Sequence, residues 1–127
     1  MIYRFEKHYS RDEARALLPQ VRQWLKRVTD LRNQFGKQDS RMGSLLAAGA
    51  DVGGEPANSW VKLLCEIKTV LKEFKSREIQ IKDIDRGLID FPAIIAGREV
   101  FLCWEQDEDD IEFWHELDTG YAGRERL

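Results

Sequence analysis

His115 lies in an acidic C-terminal stretch, and imidazole and carboxylate groups are common ligands of divalent metals. The carboxylates considered as its partners are Glu108, Glu116 and Asp118, with Asp90 as a further candidate. Such a set suits Zn, Mn or Ni, and a bound ion could acidify a water molecule for hydrolysis. His115 and Glu116 are adjacent, however, and adjacent side chains point apart in helices and strands. The spacing therefore favours a structural His115 that bonds a backbone carbonyl or a carboxylate.

Cys103 is a second candidate for chemistry, because a thiolate with a nearby base is a strong nucleophile. His115 would be that base. Cys103 lies between Leu102 and Trp104, however, and a lone cysteine with apolar neighbours in a strand is typically inert packing. Cys65 also has apolar neighbours and the chain has no CxxC motif, so both thiols are expected to be buried and reduced.

Charged and aromatic residues of the C-terminal part define a candidate binding surface. Asp90 is expected to pair with Arg98 or Arg124, since arginine can bind a carboxylate through two hydrogen bonds. Arg124 could instead bind an anionic ligand. The nearby aromatic residues favour core packing over a ligand platform; they are Phe91, Trp104, Phe113, Trp114 and Tyr121. The whole candidate surface consists of Asp90, Arg98, Cys103, Trp104, Trp114 and Arg124.

Two amphipathic helices are predicted to carry this part of the chain. Ser10 and Glu13 have the spacing of a capping box, so a first helix is predicted over about residues 11–36, with a mild kink at Pro19. Its apolar residues recur every three or four positions; they are Ala14, Leu17, Val21, Trp24, Val28, Leu31 and Phe35.

A glycine-rich connection and a second helix follow. Residues 37–58 contain four glycines and a proline and are predicted to form a loop, in which one or two helical turns are an alternative. The second helix is predicted over about residues 59–77; its apolar stripe is Trp60, Leu63, Leu64, Ile67, Val70, Leu71 and Phe74. Two such stripes bury each other best as an antiparallel helical hairpin, with coiled-coil spacing.

From residue 79 onward the apolar period changes to two, which is typical of β-strands. Two apolar runs, 88–95 and 100–104, flank Ala96-Gly97-Arg98 and predict a tight β-hairpin. Residues 110–117 are compatible with a third strand or a short helix. The pattern therefore predicts an α+β fold in which a helical hairpin packs against a C-terminal β-hairpin and a short terminal segment.

Composition limits the class of protein. The 127 residues are 43% hydrophobic and can bury one modest core, so a single domain over 1–127 is expected. Residues 1–41 hold ten Lys and Arg against five Asp and Glu, whereas residues 42–127 hold ten against eighteen. The net charge of −3 disfavours nucleic-acid binding. No secretory leader or membrane span is apparent, and a cytoplasmic protein without membrane contact is expected.

Several motifs resemble those of a family of small bacterial proteins classified only as a domain of unknown function. They are Ser-x-x-Glu-Ala-x-x-Leu-Leu-Pro at 10–19, Gly-Leu-Ile-Asp-Phe-Pro-Ala at 87–93, Gly-Arg at 97–98, Leu-Cys-Trp at 102–104, Trp-His-Glu at 114–116 and Gly-x-x-Gly-Arg at 120–124. Relatives often have glycine where this chain has Glu78 and Asp107. The resemblance covers nearly the whole chain and implies no particular activity.

These observations favour a non-enzymatic interaction or ligand-binding module. Two apolar stripes leave edges that a monomer would expose, so a homodimer is predicted, with the aromatic and acidic C-terminal segment recognising a protein or small-molecule partner. No cofactor is expected on this interpretation. The alternative is a metal-dependent hydrolase whose divalent ion is bound by His115 and the neighbouring carboxylates.

Overall fold

The computed structural model describes residues 2–127 and has an α+β architecture. Within that range two helices precede a five-stranded antiparallel sheet whose spatial order, β1-β2-β3-β4-β5, follows the chain. The helices are α1 (Arg11–Ala47) and α2 (Glu55–Lys75), and a short 3₁₀ turn covers Tyr121–Gly123. The strands are β1 (Gln80–Asp83), β2 (Leu88–Ile95), β3 (Arg98–Glu105), β4 (Phe113–Glu116) and β5 (Glu125–Arg126).

Helix α1 begins as the sequence predicts but is longer than predicted. Ser10 accepts a hydrogen bond from the Glu13 amide, and the Glu13 carboxylate accepts one from the Ser10 amide, each at 3.1 Å. The helix then continues through the predicted 37–58 loop to Ala47, and α2 starts at Glu55 instead of 59. Gly36 and Gly43 weaken a helix by only about 1 kcal/mol each. Of the two alternatives for 37–58, helical turns are therefore correct for residues 37–47, and the connection between the helices is limited to residues 48–54.

The buried stripe of α1 differs in detail from the predicted one. Leu18 and Leu25 are buried in the core, whereas Leu17 and Trp24 pack beside it in partly exposed positions. The complete buried set is Ala14, Leu18, Val21, Leu25, Val28 and Leu31. Pro19 is exposed within the continuous helix, and a kink there stays a prediction.

The two helices contact each other along their length. The rings of Trp24 and Phe74 lie 5.3 Å apart, and those of Phe35 and Trp60 lie 5.4 Å apart. Positions later in α1 therefore face positions earlier in α2. Within the described span 32–47, α1 has no buried residue, and Phe74 is the one buried residue of Glu55–Lys75. The half of the helix pair far from the sheet consequently has no enclosed core.

The turn after α2 contains a residue with left-handed backbone. Helix α2 ends at Lys75, two residues before the predicted end, and Glu78 adopts φ +58° in the turn that leads to β1. Such left-handed backbone favours glycine. Here the Glu78 carboxylate also accepts hydrogen bonds from the amides of Glu6 and Lys7, so the side chain has a role that glycine lacks.

The predicted β-hairpin is present as β2 and β3, paired from Leu88–Glu105 to Ile95–Arg98. Its two-residue turn has φ +51° at Ala96 and +79° at Gly97, which is the backbone of a type I′ turn. Strand β4 pairs with β3, so a strand and not a helix occupies the segment 110–117 that the sequence left undecided.

Both faces of the sheet are covered. One face carries Ile89, Phe91, Leu102 and Trp104, which join the buried stripe of α1 in a single hydrophobic core. On the other face, the ring of Phe5 from the N-terminal segment packs on Phe101 at 5.4 Å. No helix within residues 2–127 is long and apolar enough to span a bilayer.

Candidate functional site

Three side chains with metal-binding or nucleophilic atoms meet on the sheet face away from α1. Asp90 of β2 lies directly opposite Cys103 of β3, and His115 of β4 lies opposite Phe101, two residues before Cys103. The donor atoms of Asp90, Cys103 and His115 all lie within 4.8 Å of one another. Their exposed fractions are 1%, 0% and 2%. We call these three residues the buried triad.

Hydrogen bonds fix the His115 ring. Nδ1 lies 2.6 Å from the Glu116 carbonyl oxygen, which can only accept, so Nδ1 carries a proton and donates it. Nε2 lies 2.9 Å from Oδ2 of Asp90. The second carboxylate oxygen, Asp90 Oδ1, is buried and has no hydrogen-bond partner among residues 2–127.

The surroundings of His115 favour its charged form. Burial lowers the pKa of His115, but hydrogen bonds with Asp90, Cys103 and the Glu116 carbonyl outweigh this effect and raise the pKa to about 10. The hydrogen bonds around His115 therefore favour an imidazolium facing the Asp90 carboxylate. A buried pair of this kind joins β4 to β2 across β3, which holds the C-terminal part of the chain on the hairpin.

Of the carboxylates predicted as metal ligands, Asp90 lies beside His115, whereas Glu108, Glu116 and Asp118 do not. Glu108 binds Arg124 through two hydrogen bonds of 2.8 and 3.1 Å. Glu116 is adjacent to His115 but pairs with Arg98. Asp118, whose side chain is 87% exposed, lies 3.4 Å from Arg4. Each of these three carboxylates is thus paired with an arginine elsewhere, and the structure does not assemble the set predicted from the sequence.

The predicted binding surface is divided between the two sheet faces. Trp104 and Trp114 belong to the core side, whereas Asp90 and Cys103 are enclosed on the other side. The prediction that Asp90 pairs with Arg98 or Arg124 is wrong, since its partner is His115. The imidazole of His115 on β4 reaches the buried carboxylate across β3, and Arg98 at the hairpin turn is exposed.

Arg124 is enclosed by aromatic rings. Its guanidinium lies 3.9 Å from the ring centre of Phe113 and 4.3 Å from that of Tyr121, while Glu108 binds it from the side. Burial lowers the pKa of Arg124, but hydrogen bonds with Glu108 and Cys103 outweigh it and raise the pKa. Arg124 therefore satisfies its charge within the chain and anchors the C-terminal turn.

The sequence analysis missed the contacts that two arginines of α1 make with the segment 106–110. Arg22 donates to the carbonyl oxygens of Gln106 and Glu108 at 2.6 and 2.8 Å, and its guanidinium lies 4.9 Å from the ring centre of Trp104. Arg15 binds Asp110 through two hydrogen bonds of 2.7 and 3.0 Å. The sequence signal for these contacts is the uneven charge distribution. Basic residues of the N-terminal part pair with acidic residues of the C-terminal part within the same chain, as Arg15 does with Asp110.

Cys65 does not behave as predicted. It is exposed on α2, whereas Cys103 is buried, so the expectation of two buried thiols is wrong for Cys65. The reason is that α2 buries so little of its surface. A groove of about 690 Å³ along this helix is lined by Lys68, Leu71, Lys72, Lys75 and Ser76.

Comparison with known proteins identifies the family. The profile of the family described as "Uncharacterized conserved protein (DUF2203)" matches residues 7–127. The chain belongs to this family. Neither a curated protein nor a solved structure matches the chain. The family match covers both helices and the whole sheet, so the buried triad lies within the matched region.

Proposed function

We propose that this chain is a non-enzymatic interaction module that acts as a homodimer, with one exposed edge of the α1–α2 helical hairpin as its interface. The observation that carries the proposal is the near absence of buried residues in α2: Phe74 alone is enclosed in the described span Glu55–Lys75. An amphipathic helix of this length normally buries an entire apolar stripe.

The exposed edge is defined by helix geometry. At 100° per residue, Leu71, Leu64 and Val61 lie within one third of the circumference of α2, displaced from the side that faces α1. Val61 is 49% exposed and Leu71 36% exposed. The edge is continuous with the groove around Leu71. We call Val61, Leu64 and Leu71 the α2 edge.

A second copy of the chain is the occupant that fits this edge. The helix pair beyond Leu31 lacks a third layer, and isolated helix pairs gain little stability from propensity alone. Two pairs related by a twofold axis make a four-helix bundle, in which the same apolar edge is buried on both copies. Helix α2 is about 32 Å long, long enough for an interface of standard size.

Oligomeric state tests the proposal. Light scattering coupled to size exclusion should give twice the chain mass at micromolar concentration. The double variant Val61→Glu/Leu71→Glu should give the monomer mass with unchanged helical circular dichroism. Thr69→Glu is the control, because it introduces glutamate at an exposed position of α2 outside the α2 edge and should leave the dimer intact. A wild-type monomer at all concentrations would refute the proposal.

A metal-dependent hydrolase has less support. Three of the carboxylates predicted as ligands, Glu108, Glu116 and Asp118, are paired with arginines, and the buried triad that contains the fourth, Asp90, is closed to any substrate. Recognition of a partner by the aromatic and acidic segment likewise has little support, because most of its carboxylates pair with arginines of the same chain. The α2 edge remains the surface that best supports a function.

A further inference from the structure

The buried triad combines the three donor types that a structural metal site uses. We propose that Asp90, Cys103 and His115 form a closed binding site for one divalent transition metal of the Zn²⁺ type. Thiolate, imidazole and carboxylate are all zinc ligands. Their donor atoms come from three adjacent strands and lie within 4.8 Å of one another.

A second observation points to a ligand at this place. Asp90 Oδ1 is fully buried without a hydrogen-bond partner among residues 2–127. A buried carboxylate oxygen without a partner is costly, and buried polar atoms in proteins are nearly always satisfied. A cation bound by Asp90 through one or both oxygens would satisfy it, and with both oxygens the triad offers four donor atoms.

The orientation of His115 matches that of a metal ligand. Metal-bound histidines usually donate the other ring N–H to a carbonyl or carboxylate, which fixes the tautomer. Here Nδ1 donates to the Glu116 carbonyl at 2.6 Å, and Nε2 faces Asp90 and Cys103. His115 therefore presents Nε2 to the proposed ion without any change of ring orientation.

The charges balance when the ion binds. Zn²⁺ replaces two protons, one from the Cys103 thiol and one from Nε2 of His115, and both protons leave to solvent. The occupied site then contains one dication, one thiolate and one carboxylate, so its net charge is zero. Arg124, the nearby cation, is neutralised by Glu108 at 2.8 Å and does not oppose binding with its full charge.

The geometry requires a modest contraction. Zinc bonds of about 2.0–2.3 Å in a tetrahedral site place donor atoms roughly 3.3–3.8 Å apart. The widest donor separation, within 4.8 Å, therefore has to shrink by about 1 Å, which small side-chain rotations supply. The three residues are at most 2% exposed, so no substrate position is open and the ion would stabilise the sheet without catalysing a reaction.

Cobalt(II) is the probe for this site, because a thiolate bound to Co²⁺ gives a charge-transfer band in the near ultraviolet. Untagged protein should be refolded from denaturant with Co²⁺ present, so that burial does not prevent loading. The expected result is one Co²⁺ per chain by native mass spectrometry, a thiolate charge-transfer band, and displacement by Zn²⁺.

The two cysteines provide a matched pair of variants. Cys65→Ser changes the exposed thiol and should leave the band unchanged, whereas Cys103→Ser should abolish it. Asp90→Asn and His115→Gln should weaken Co²⁺ binding by more than about 100-fold, beyond the loss typical of residues behind the ligands. Circular dichroism identifies any variant that does not fold.

Wild-type protein alone suffices to overturn the proposal. Absence of the charge-transfer band and of stoichiometric metal after refolding with Co²⁺ would show that the buried triad is only an ion pair with a neighbouring thiol. A band that survives in Cys103→Ser but disappears in Cys65→Ser would place the metal on α2 and would equally refute it. Neither outcome affects the proposed dimer, whose interface is on the helices.

Discussion

At the scale of single residues, the Asp90–His115 pair is the contact whose loss should be most damaging. Replacing Asp90 by Ala leaves the His115 ring buried opposite no acceptor. Removing one member of a buried pair typically costs about 3–5 kcal/mol. We expect Asp90→Ala to lower the free energy of unfolding by that amount, measured by urea denaturation in the presence of a chelator so that no metal contributes.

The double variant Asp90→Leu/His115→Phe separates burial of an unpaired charge from loss of the pair itself. Replacing both partners by apolar groups of similar size is often close to neutral, so the double variant should be more stable than Asp90→Ala. Asp118→Ala is the control: its carboxylate is exposed, and its loss should change stability by less than about 0.5 kcal/mol. An equally small effect of Asp90→Ala would contradict the assigned role.

The sequence alone predicted the chemistry of individual residues better than their partners. Adjacent His115 and Glu116 point apart, as strand geometry requires, and His115 bonds a carbonyl and a carboxylate at once. Residue chemistry suggested Asp90 as a fellow ligand of His115 and His115 as a base for Cys103, but it favoured an arginine as the partner of Asp90. Pairing across three strands depends on register, and with residues 110–117 undecided between strand and helix the sequence could not show that positions 90, 103 and 115 all meet.

At the scale of elements, one carboxylate attaches the N-terminal segment to the sheet. Glu99 of β3 accepts hydrogen bonds from the amides of Arg4 and Phe5 at 2.7 and 3.0 Å and lies 2.8 Å from Nε2 of His8. Burial raises the pKa of Glu99, but these hydrogen bonds outweigh it and leave the pKa below its usual value of 4.5. Their contribution is fully present above that value and is lost as pH falls through the lowered pKa.

Glu99→Gln should therefore show a pH-dependent defect. At pH 7 the variant should be about 1–2 kcal/mol less stable than wild type, since hydrogen bonds to a charged group contribute about 1.5–3 kcal/mol. The difference should shrink as pH falls below 4.5, because wild-type Glu99 becomes protonated. Urea denaturation across this pH range is the measurement, with Glu112→Gln, a more exposed carboxylate, as control. A difference that grows in acid would contradict this account.

Element types followed from apolar period, whereas element lengths did not. The change of period from three or four residues to two correctly separated helices from strands, and Ala96-Gly97 gave the hairpin turn. The glycines of 37–58 do not end α1 where the sequence pattern predicts, since the helix continues to Ala47. Gly36 and Gly43 lie on exposed parts of α1 with open space around them, so a helix of good formers can continue through both.

At the scale of the whole molecule, stability should be uneven along the two helices. The part of α1 and α2 near the sheet is buried against β2 and β3, whereas the part that carries Phe35 and Trp60 has only the other helix to pack on. Local opening requires little free energy where few apolar contacts are enclosed. If the α2 edge is buried in a dimer, the partner supplies the missing contacts.

Hydrogen exchange in wild type and in Val61→Glu/Leu71→Glu should reveal this dependence on the partner. If wild type is the proposed dimer, its amides of residues 32–47 and 55–70 should be protected nearly as well as those of β2 and β3. In the monomeric variant the helix amides should exchange at least about tenfold faster, while β2 and β3 keep their protection because their core lies within one chain. Thr69→Glu should exchange like wild type. An equal loss of amide protection in the helices and the sheet would instead mean that the variant destabilises the entire fold. The α2 edge would then stabilise the monomer itself and would not be a dimer interface.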